Sequence, residues 1–140
     1  MRRCCTATDY VVGAAGAAAR AWRKKRMRNP EHQEQVAYFE WVRMAYPQVP
    51  IFAIPNGGHR HIAVAKKLQR EGVLAGVPDI LIADGKPGCF LEMNVKPNKV
   101  SEKQASMLRI LKAHGYSVAV CYGFDEAREA TEFYLRRRRV

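Results

Sequence analysis

Two carboxylates in this chain stand beside short apolar runs, and an amide follows the second of them. Asp79 directly precedes the run ILI, Glu92 directly follows the run CFL, and Asn94 comes two residues later. Because side chains alternate along a strand, Glu92 and Asn94 are expected on one face. Two acids that meet repel each other, and a hard divalent cation such as Mg²⁺ relieves that repulsion. The pattern indicates a metal site, although for either acid alone a turn cap or a solvent-facing side chain is the simpler explanation.

Apolar strands that alternate with helical segments predict how these acids are positioned. The segments DILIAD (79–84) and CFLEMNV (89–95) are predicted strands, joined by a hairpin-type turn with the sequence GKPG. Pairing through that turn brings Asp79 and Glu92 together at one end of a sheet. The remaining predicted elements are helices at 31–46, 61–72, 101–115 and 124–135 and strands at 50–54 and 116–122. This order predicts an α/β fold, with a mixed central sheet flanked by helices.

Two polar residues are expected on the inward faces of their helices. Glu34 shares a face with Tyr38 and Trp41, where a carboxylate needs a partner. The alternative for Glu34 is an acid near a helix start that the dipole favours and that reaches solvent. Gln104 completes the capping-box pattern SEKQ with Ser101, and it also lines up with the apolar face of its helix. Capping and contact with the sheet both remain open for Gln104.

The positive charge of the chain is concentrated at its two ends. Residues 1–30 hold eight Lys or Arg against Asp9, and residues 136–140 hold four Arg, which together account for the net charge of +11. We therefore divide the chain into a flexible basic arm (1–30), a folded domain (31–135) and a basic tail (136–140). Basic arms on a neutral body favour contact with nucleic acid over a merely solubilising role. The arm and tail residues expected to bind it are Arg23, Lys24, Lys25, Arg26, Arg136 and Arg137.

Length and composition fit a single globular domain. At 140 residues the chain can bury a core without disulfide or metal staples. No apolar run approaches the roughly 20 residues that a membrane span needs. The four cysteines lack metal-binding spacing, and Cys89 and Cys121 fall in predicted strands, where a thiol behaves as a small hydrophobe. We expect no membrane partner, no secretion and a location in the cytoplasm.

Several motifs, taken in order, resemble the VRR-NUC domain, a family of small nucleases in the PD-(D/E)xK superfamily. They are IPNGGHR, EGVLAGVPDILIAD, FLEM, VSEKQ and HGYSVAVCYGFDEA, and the resemblance covers about residues 31–135. It implies an αβββαβ restriction-endonuclease-like core, dependence on Mg²⁺ or Mn²⁺, and hydrolysis of phosphodiester bonds in DNA. Stand-alone phage and bacterial members look like homodimeric endonucleases that act on branched DNA, Holliday junctions included. The expected location is then a bacterial host cell.

The resemblance also implies roles for particular residues. Asp79 and Glu92 match the acids that bind metal in the superfamily, and Glu34 matches the acid of the first helix. The backbone carbonyl of Met93 matches a further metal ligand. Gln104 matches a glutamine that lines the site.

Asn94 departs from the family pattern. The motif E-x-K places a lysine there, and this chain reads Glu92-Met93-Asn94. The lysine is understood to orient the attacking water and to balance charge on the phosphate, and asparagine carries no charge. Lys96 lies two positions along, about 6.6 Å away at the backbone, so its amine can return only by folding back. We expect impaired catalysis, with rescue by Lys96 as the competing explanation.

The loop after the PNGG turn carries two residues that are candidates for contact with DNA. His59 and Arg60 follow the PNGG turn and are expected to contact a DNA phosphate, although a surface arginine without such a contact is nearly as good an explanation.

A binding module for branched DNA or RNA, with a decayed active site, is the alternative to a nuclease. Cleavage is the property that separates these two functions, because both predict salt-sensitive binding.

Overall fold

In the part of the chain that the structure describes, four strands form one mixed sheet, which four helices accompany. The structure is a computed structural model, and it describes residues 30–56, 61–85 and 87–138. In chain order the elements are α1 (Pro30–Ala45), β1 (Ile51–Ala53), α2 (Ile62–Arg70), β2 (Ile80–Ile82), β3 (Cys89–Asn94), α3 (Glu102–Ala113), β4 (Ser117–Tyr122) and α4 (Phe124–Arg138).

The strands lie in the order β1-β2-β3-β4, and both kinds of pairing occur. β1 pairs with β2, and β2 with β3, in antiparallel orientation. The short turn between β2 and β3 permits only this orientation, whereas the longer segment that contains α2 joins β1 to β2. β3 pairs with β4 in parallel orientation, which α3 makes possible as the crossover. The α/β prediction with a mixed, helix-flanked sheet is confirmed.

The main core lies between one face of the sheet and the helices α1 and α4. Ile80, Leu91 and Met93 are at most 1% exposed on this face. The hydroxyls of Tyr38 in α1 and Thr131 in α4 form a buried hydrogen bond of 2.8 Å across the two helices. Other core residues are Val42, Ile82, Cys89, Cys121, Ala127, Ala130 and Leu135. Cys89 and Cys121 are buried free thiols, as predicted.

The opposite face of the sheet carries the polar residues that the sequence singles out. Phe90, Glu92 and Asn94 alternate with the core-facing residues of β3, and all six residues of this strand are buried. The register of the parallel pair sets Glu92 beside Val120 and Asn94 beside Tyr122. α3 packs against β4. The candidate site therefore lies on the α3 side of the sheet.

The predicted elements all occur, with small differences at their ends. Strand β2 is shorter than the predicted segment 79–84, so Asp79 lies just outside it. Helix α4 continues to Arg138, so Arg136 and Arg137 extend the helix beyond its predicted end at residue 135. Among the described helices, none has the length and apolar composition to cross a membrane.

Candidate active site

Asp79 and Glu92 meet at the end of the β2–β3 pair. Ile80 is paired with Leu91, so one further step along the antiparallel ladder sets Asp79 opposite Glu92. The Oδ2 of Asp79 accepts a hydrogen bond of 3.0 Å from the backbone N–H of Met93. The convergence expected from hairpin pairing is thus observed.

Asp79 and Glu92 repel each other when both are ionised. Burial, followed by the charges of Asp79 and Glu31, raises the pKa of Glu92 to about 8, against the effect of the hydrogen bond from Gln104. Burial also raises the pKa of Asp79, against the effect of the Met93 N–H. Glu92 is only 1% exposed, so water screens this repulsion poorly. A metal-free site therefore retains a proton up to a pH where ordinary carboxyls are ionised.

Glu31 is the acid of the first helix that reaches this pair. It lies in the first turn of α1, and the pKa of Glu31 is raised by burial and by the charge of Asp79. Seven residues separate Glu31 from the buried Tyr38, about two helical turns, so the two side chains lie on one face. The seven-residue spacing from Tyr38 is the sequence feature that could have identified Glu31 as a site residue. The family resemblance pointed to Glu34 instead.

Glu34, the residue that the resemblance selects, is engaged elsewhere. Its Oε2 accepts a hydrogen bond of 2.6 Å from the backbone N–H of Phe124, the first residue of α4. A carboxylate there satisfies an N–H that the helix cannot, and it interacts favourably with the helix dipole. A Cβ on Gly123 would lie 3.2 Å from the same oxygen. The structure thus gives Glu34 a partner at the start of α4.

Gln104 performs both of the roles that the sequence left open. Its Oε1 accepts from the Ser101 backbone N–H at 2.8 Å, and Ser101 Oγ accepts from the Gln104 N–H at 3.3 Å, which completes the capping box. Its Nε2 donates to Oε1 of Glu92. Because the cap fixes the amide, the donor aimed at Glu92 is held in place.

The loop before Asp79 is fixed against two other segments. Pro78 is fully buried, and Nδ2 of Asn56 donates to the carbonyl of Val77 at 3.1 Å. Gly76 has φ +87°, and a Cβ there would lie 2.8 Å from the carbonyl oxygen of Lys103. Only glycine allows this approach without strain, so Asn56 and Gly76 together position the loop that leads to Asp79 beside α3.

Asn94 and Lys96 occupy very different surroundings. Asn94 is 6% exposed, and its Nδ2 is buried without a hydrogen-bond partner. β3 ends at Asn94, so Lys96 lies beyond the strand, and it is exposed. The Lys96 ammonium lies 5.8 Å from the centre of the Tyr122 ring. The position of the motif lysine is therefore occupied by a neutral side chain, Asn94. Lys96 contacts the ring of Tyr122, the strand partner of Asn94.

The donors at this site fit a hard divalent cation, although they do not form a complete cage. The Oε2 of Glu92 is buried and has no hydrogen-bond partner, which is costly unless a cation or proton satisfies it. Within residues 30–56, 61–85 and 87–138, no group of three or more His, Cys, Asp or Glu side chains is arranged to hold a metal ion. Mg²⁺ commonly uses only one or two protein carboxylates and keeps several waters, so Asp79 and Glu92 suffice for it.

The residues expected to bind DNA lie mostly outside the described part of the chain. His59, Arg60, Arg23, Lys24, Lys25 and Arg26 are all among the undescribed residues. Arg136 and Arg137 are exposed on the last turns of α4, where Arg137 lies 5.3 Å from the ring centre of Phe133 and Arg136 pairs with Glu132 at 3.9 Å.

Comparison with known proteins places this geometry in a family. A solved structure described as "VRR_NUC domain protein" superposes with a TM-score of 0.64 at 21% identity, over 79% of this chain and 92% of that one. This likeness shows a shared fold. No curated protein matches the chain. The VRR-NUC domain matches residues 21–125, beginning inside the segment that we predict to be an arm. The chain therefore belongs to the VRR-NUC family of nuclease-type, DNA-processing domains in the PD-(D/E)xK superfamily.

Proposed function

We propose that this protein is an endonuclease that uses Mg²⁺ or Mn²⁺ to hydrolyse phosphodiester bonds in branched DNA. The observation that carries the proposal is the buried, unpartnered Oε2 of Glu92, on a carboxyl whose pKa the charges of Asp79 and Glu31 raise. A domain from a nuclease family that buries uncompensated carboxylates gains stability when a cation binds there.

The proposed mechanism assigns each side chain a part. Asp79 and Glu92 would hold the cation together with the Met93 carbonyl. Glu31, in place of Glu34, would add the negative charge of the first helix near them without being a direct ligand. When bound, the cation lowers the pKa of a water and stabilises charge on the phosphate. Gln104 orients the Glu92 carboxylate through its amide. The Met93 N–H fixes Asp79.

In this proposal, Asn94 makes DNA cleavage by this chain slow. Its amide is able to donate a hydrogen bond but bears no charge, so the charge that develops on the phosphate is less well stabilised than with a lysine. Asn94 is also the observation that favours the second candidate, a branched-DNA or RNA binding module without catalysis. In either case the partner is nucleic acid, and the proposed location is the cytoplasm of a bacterial host cell.

The proposed function is tested by a cleavage panel over linear, flap and four-way DNA with Mg²⁺ or Mn²⁺. We expect slow cleavage of branched substrates, faster cleavage by Asn94→Lys, and none by Asp79→Asn, which keeps an oxygen for the Met93 N–H. If neither the native chain nor Asn94→Lys cuts any substrate at a rate above that of Asp79→Asn, the binding module is the correct function.

Metal binding is expected to depend on pH in a defined direction. The pKa of Glu92 rises from an ordinary value of 4.5 to about 8 on folding, so the folded state binds more protons than the unfolded state in that window. Without metal, the free energy of unfolding then falls as pH rises from about 4.5 to about 8. Because Mg²⁺ binds the deprotonated carboxylates, it should raise the melting temperature more at pH 8 than at pH 6.

Scanning calorimetry at both pH values, with Mg²⁺ or EDTA, measures this effect. Asp79→Asn should lose most of the Mg²⁺ shift at pH 8. An Mg²⁺ shift that is equal in Asp79→Asn and in the native chain would place the bound metal elsewhere.

The basic arm is expected to supply much of the salt-dependent DNA affinity. Replacing Arg23, Lys24, Lys25 and Arg26 with Gln should make the log-log salt slope shallower by about 3 to 4, because each lost phosphate contact removes about 0.9. The matched control removes four exposed charges from the body, at Lys66, Lys67, Arg109 and Lys112. Fluorescence anisotropy from 50 to about 300 mM salt measures both slopes. Equal loss in the two variants would show that the arm has no special contact.

We further propose that two copies act together. A four-way junction has approximate two-fold symmetry, and its resolution needs two matched cuts, which a C2 homodimer supplies from identical sites. Light scattering at micromolar protein should give the dimer mass. A monomer mass both with and without junction DNA would contradict this part of the proposal.

A further inference from the structure

The side chains of Lys96 and Tyr122 contact each other, and neither has a part in the mechanism proposed above. The Lys96 ammonium lies 5.8 Å from the ring centre of Tyr122, within the range in which a cation is attracted to an aromatic face. Lys96 is exposed, whereas Tyr122 is half-buried and its backbone N–H donates to Oε2 of Glu126 at 2.8 Å. The ammonium of an exposed lysine thus lies against the ring of a half-buried tyrosine.

The register of the sheet places this ring next to the motif position. Tyr122 is the partner of Asn94 in the parallel β3–β4 pair, and partners in a sheet project from the same face. The neighbouring pair on that face is Glu92 with Val120. The Asn94 carbonyl also accepts a hydrogen bond of 3.0 Å from the Gly123 N–H, so β4 is fixed against β3 at this level. The ring that the ammonium contacts therefore belongs to the strand partner of the residue at the motif position.

We infer that Tyr122 is a positioning residue that holds the Lys96 ammonium beside Asn94, so that Lys96 supplies the positive charge missing from the E-x-K motif. The inference rests on the proposed nuclease function and assigns the residual activity of this chain to Lys96. No bond is made or broken at Lys96, which acts by its charge alone. A cation–π contact at an exposed site favours the held position by about two- to fivefold, so the substitute is weaker than a motif lysine.

The contact itself is tested without metal or DNA. In ¹H–¹³C NMR spectra of the native chain, the Lys96 ε-protons should be shifted upfield by the Tyr122 ring. Tyr122→Phe should retain that shift, and Tyr122→Leu should lose it, while Lys66 and Lys99 serve as internal references in every spectrum. Lys96 ε-protons at the same position as these references in the native chain would overturn the inference.

Kinetics then test whether the held ammonium acts in catalysis. Lys96→Met keeps the length of the stem and removes the charge, and it should lower kcat on branched DNA about tenfold or more, with KM little changed. Tyr122→Leu should lower kcat by about two- to fivefold, and Tyr122→Phe should restore most of it. Metal-free binding of the same DNA is measured in parallel, because a purely phosphate-binding lysine would lose affinity instead.

The same Lys96 substitution made in the Asn94→Lys variant distinguishes the role of Lys96 from the nuclease function on which it rests. In Asn94→Lys, the loss caused by Lys96→Met should shrink to less than about threefold, since a second cation is then present. Native activity that is insensitive to Lys96→Met, together with active Asn94→Lys, would overturn the role of Lys96 and leave the nuclease intact. If Asn94→Lys is as inactive as Asp79→Asn, the nuclease proposal itself has failed.

Discussion

Asn94→Lys is expected to raise the rate of branched-DNA cleavage by about 100- to 1000-fold, the usual effect of one preorganised donor at a transition state. The substitution adds a cation on the face of β3 that carries Glu92, near the negative charges of Asp79 and Glu31. The Nδ2 of Asn94, which the substitution removes, is buried without a hydrogen-bond partner. The new ammonium should also lower the pKa of Glu92, since an opposite charge favours the ionised carboxyl.

The control for this variant is Asn94→Met, which has a stem of similar length and no charge. Single-turnover cleavage of a four-way junction with saturating Mg²⁺ compares the chemical step in all three proteins. Asn94→Met should be no faster than the native chain. A gain in Asn94→Met equal to that in Asn94→Lys would mean that Asn94 is harmful for its shape, and the electrostatic explanation would be wrong.

Local sequence patterns predicted the part of the site that strand geometry controls. Asp79 and Glu92 flank a short turn between adjacent strands, so antiparallel pairing alone brings them together. Gln104 was recognisable from both of its features, the capping box and the helix face, and the structure shows that one side chain satisfies both. The meeting of Asp79 with Glu92 depends on one hairpin, and the capping box depends on neighbours within a few residues, which is the range that sequence periodicity describes.

The remaining features depend on packing between distant segments. The contact of Lys96 with Tyr122 requires the register of the parallel β3–β4 pair, which the crossover through α3 sets and no local pattern reveals. The same holds for Gly76, whose positive φ matters because Lys103 of α3 lies against it. In α1, helical periodicity alone does not distinguish Glu31 from Glu34 as the acid nearest the site. The structure distinguishes them, because Glu34 accepts a hydrogen bond from the start of α4.

Glu31→Ala and Glu34→Ala are expected to have opposite effects on stability and on the response to metal. Glu31 adds repulsion to a buried pair, so its removal should raise the melting temperature of the metal-free protein, weaken the response to Mg²⁺ and slow cleavage by about 10- to 100-fold. Glu34 caps α4, so its removal should lower the free energy of unfolding by about 1 to 2 kcal/mol, because the Phe124 N–H loses its acceptor.

The Glu34→Ala variant should still respond to Mg²⁺ and still cleave at temperatures where it is folded. Urea unfolding with and without Mg²⁺, followed by cleavage at 20 °C, measures both properties on the same preparations. Both glutamates belong to one helix and each substitution removes one charge, so a general effect of net charge cannot produce opposite signs. If Glu34→Ala loses the Mg²⁺ response and Glu31→Ala keeps it, then the acid of the first helix is Glu34 after all, and its contact with α4 must open when the metal binds.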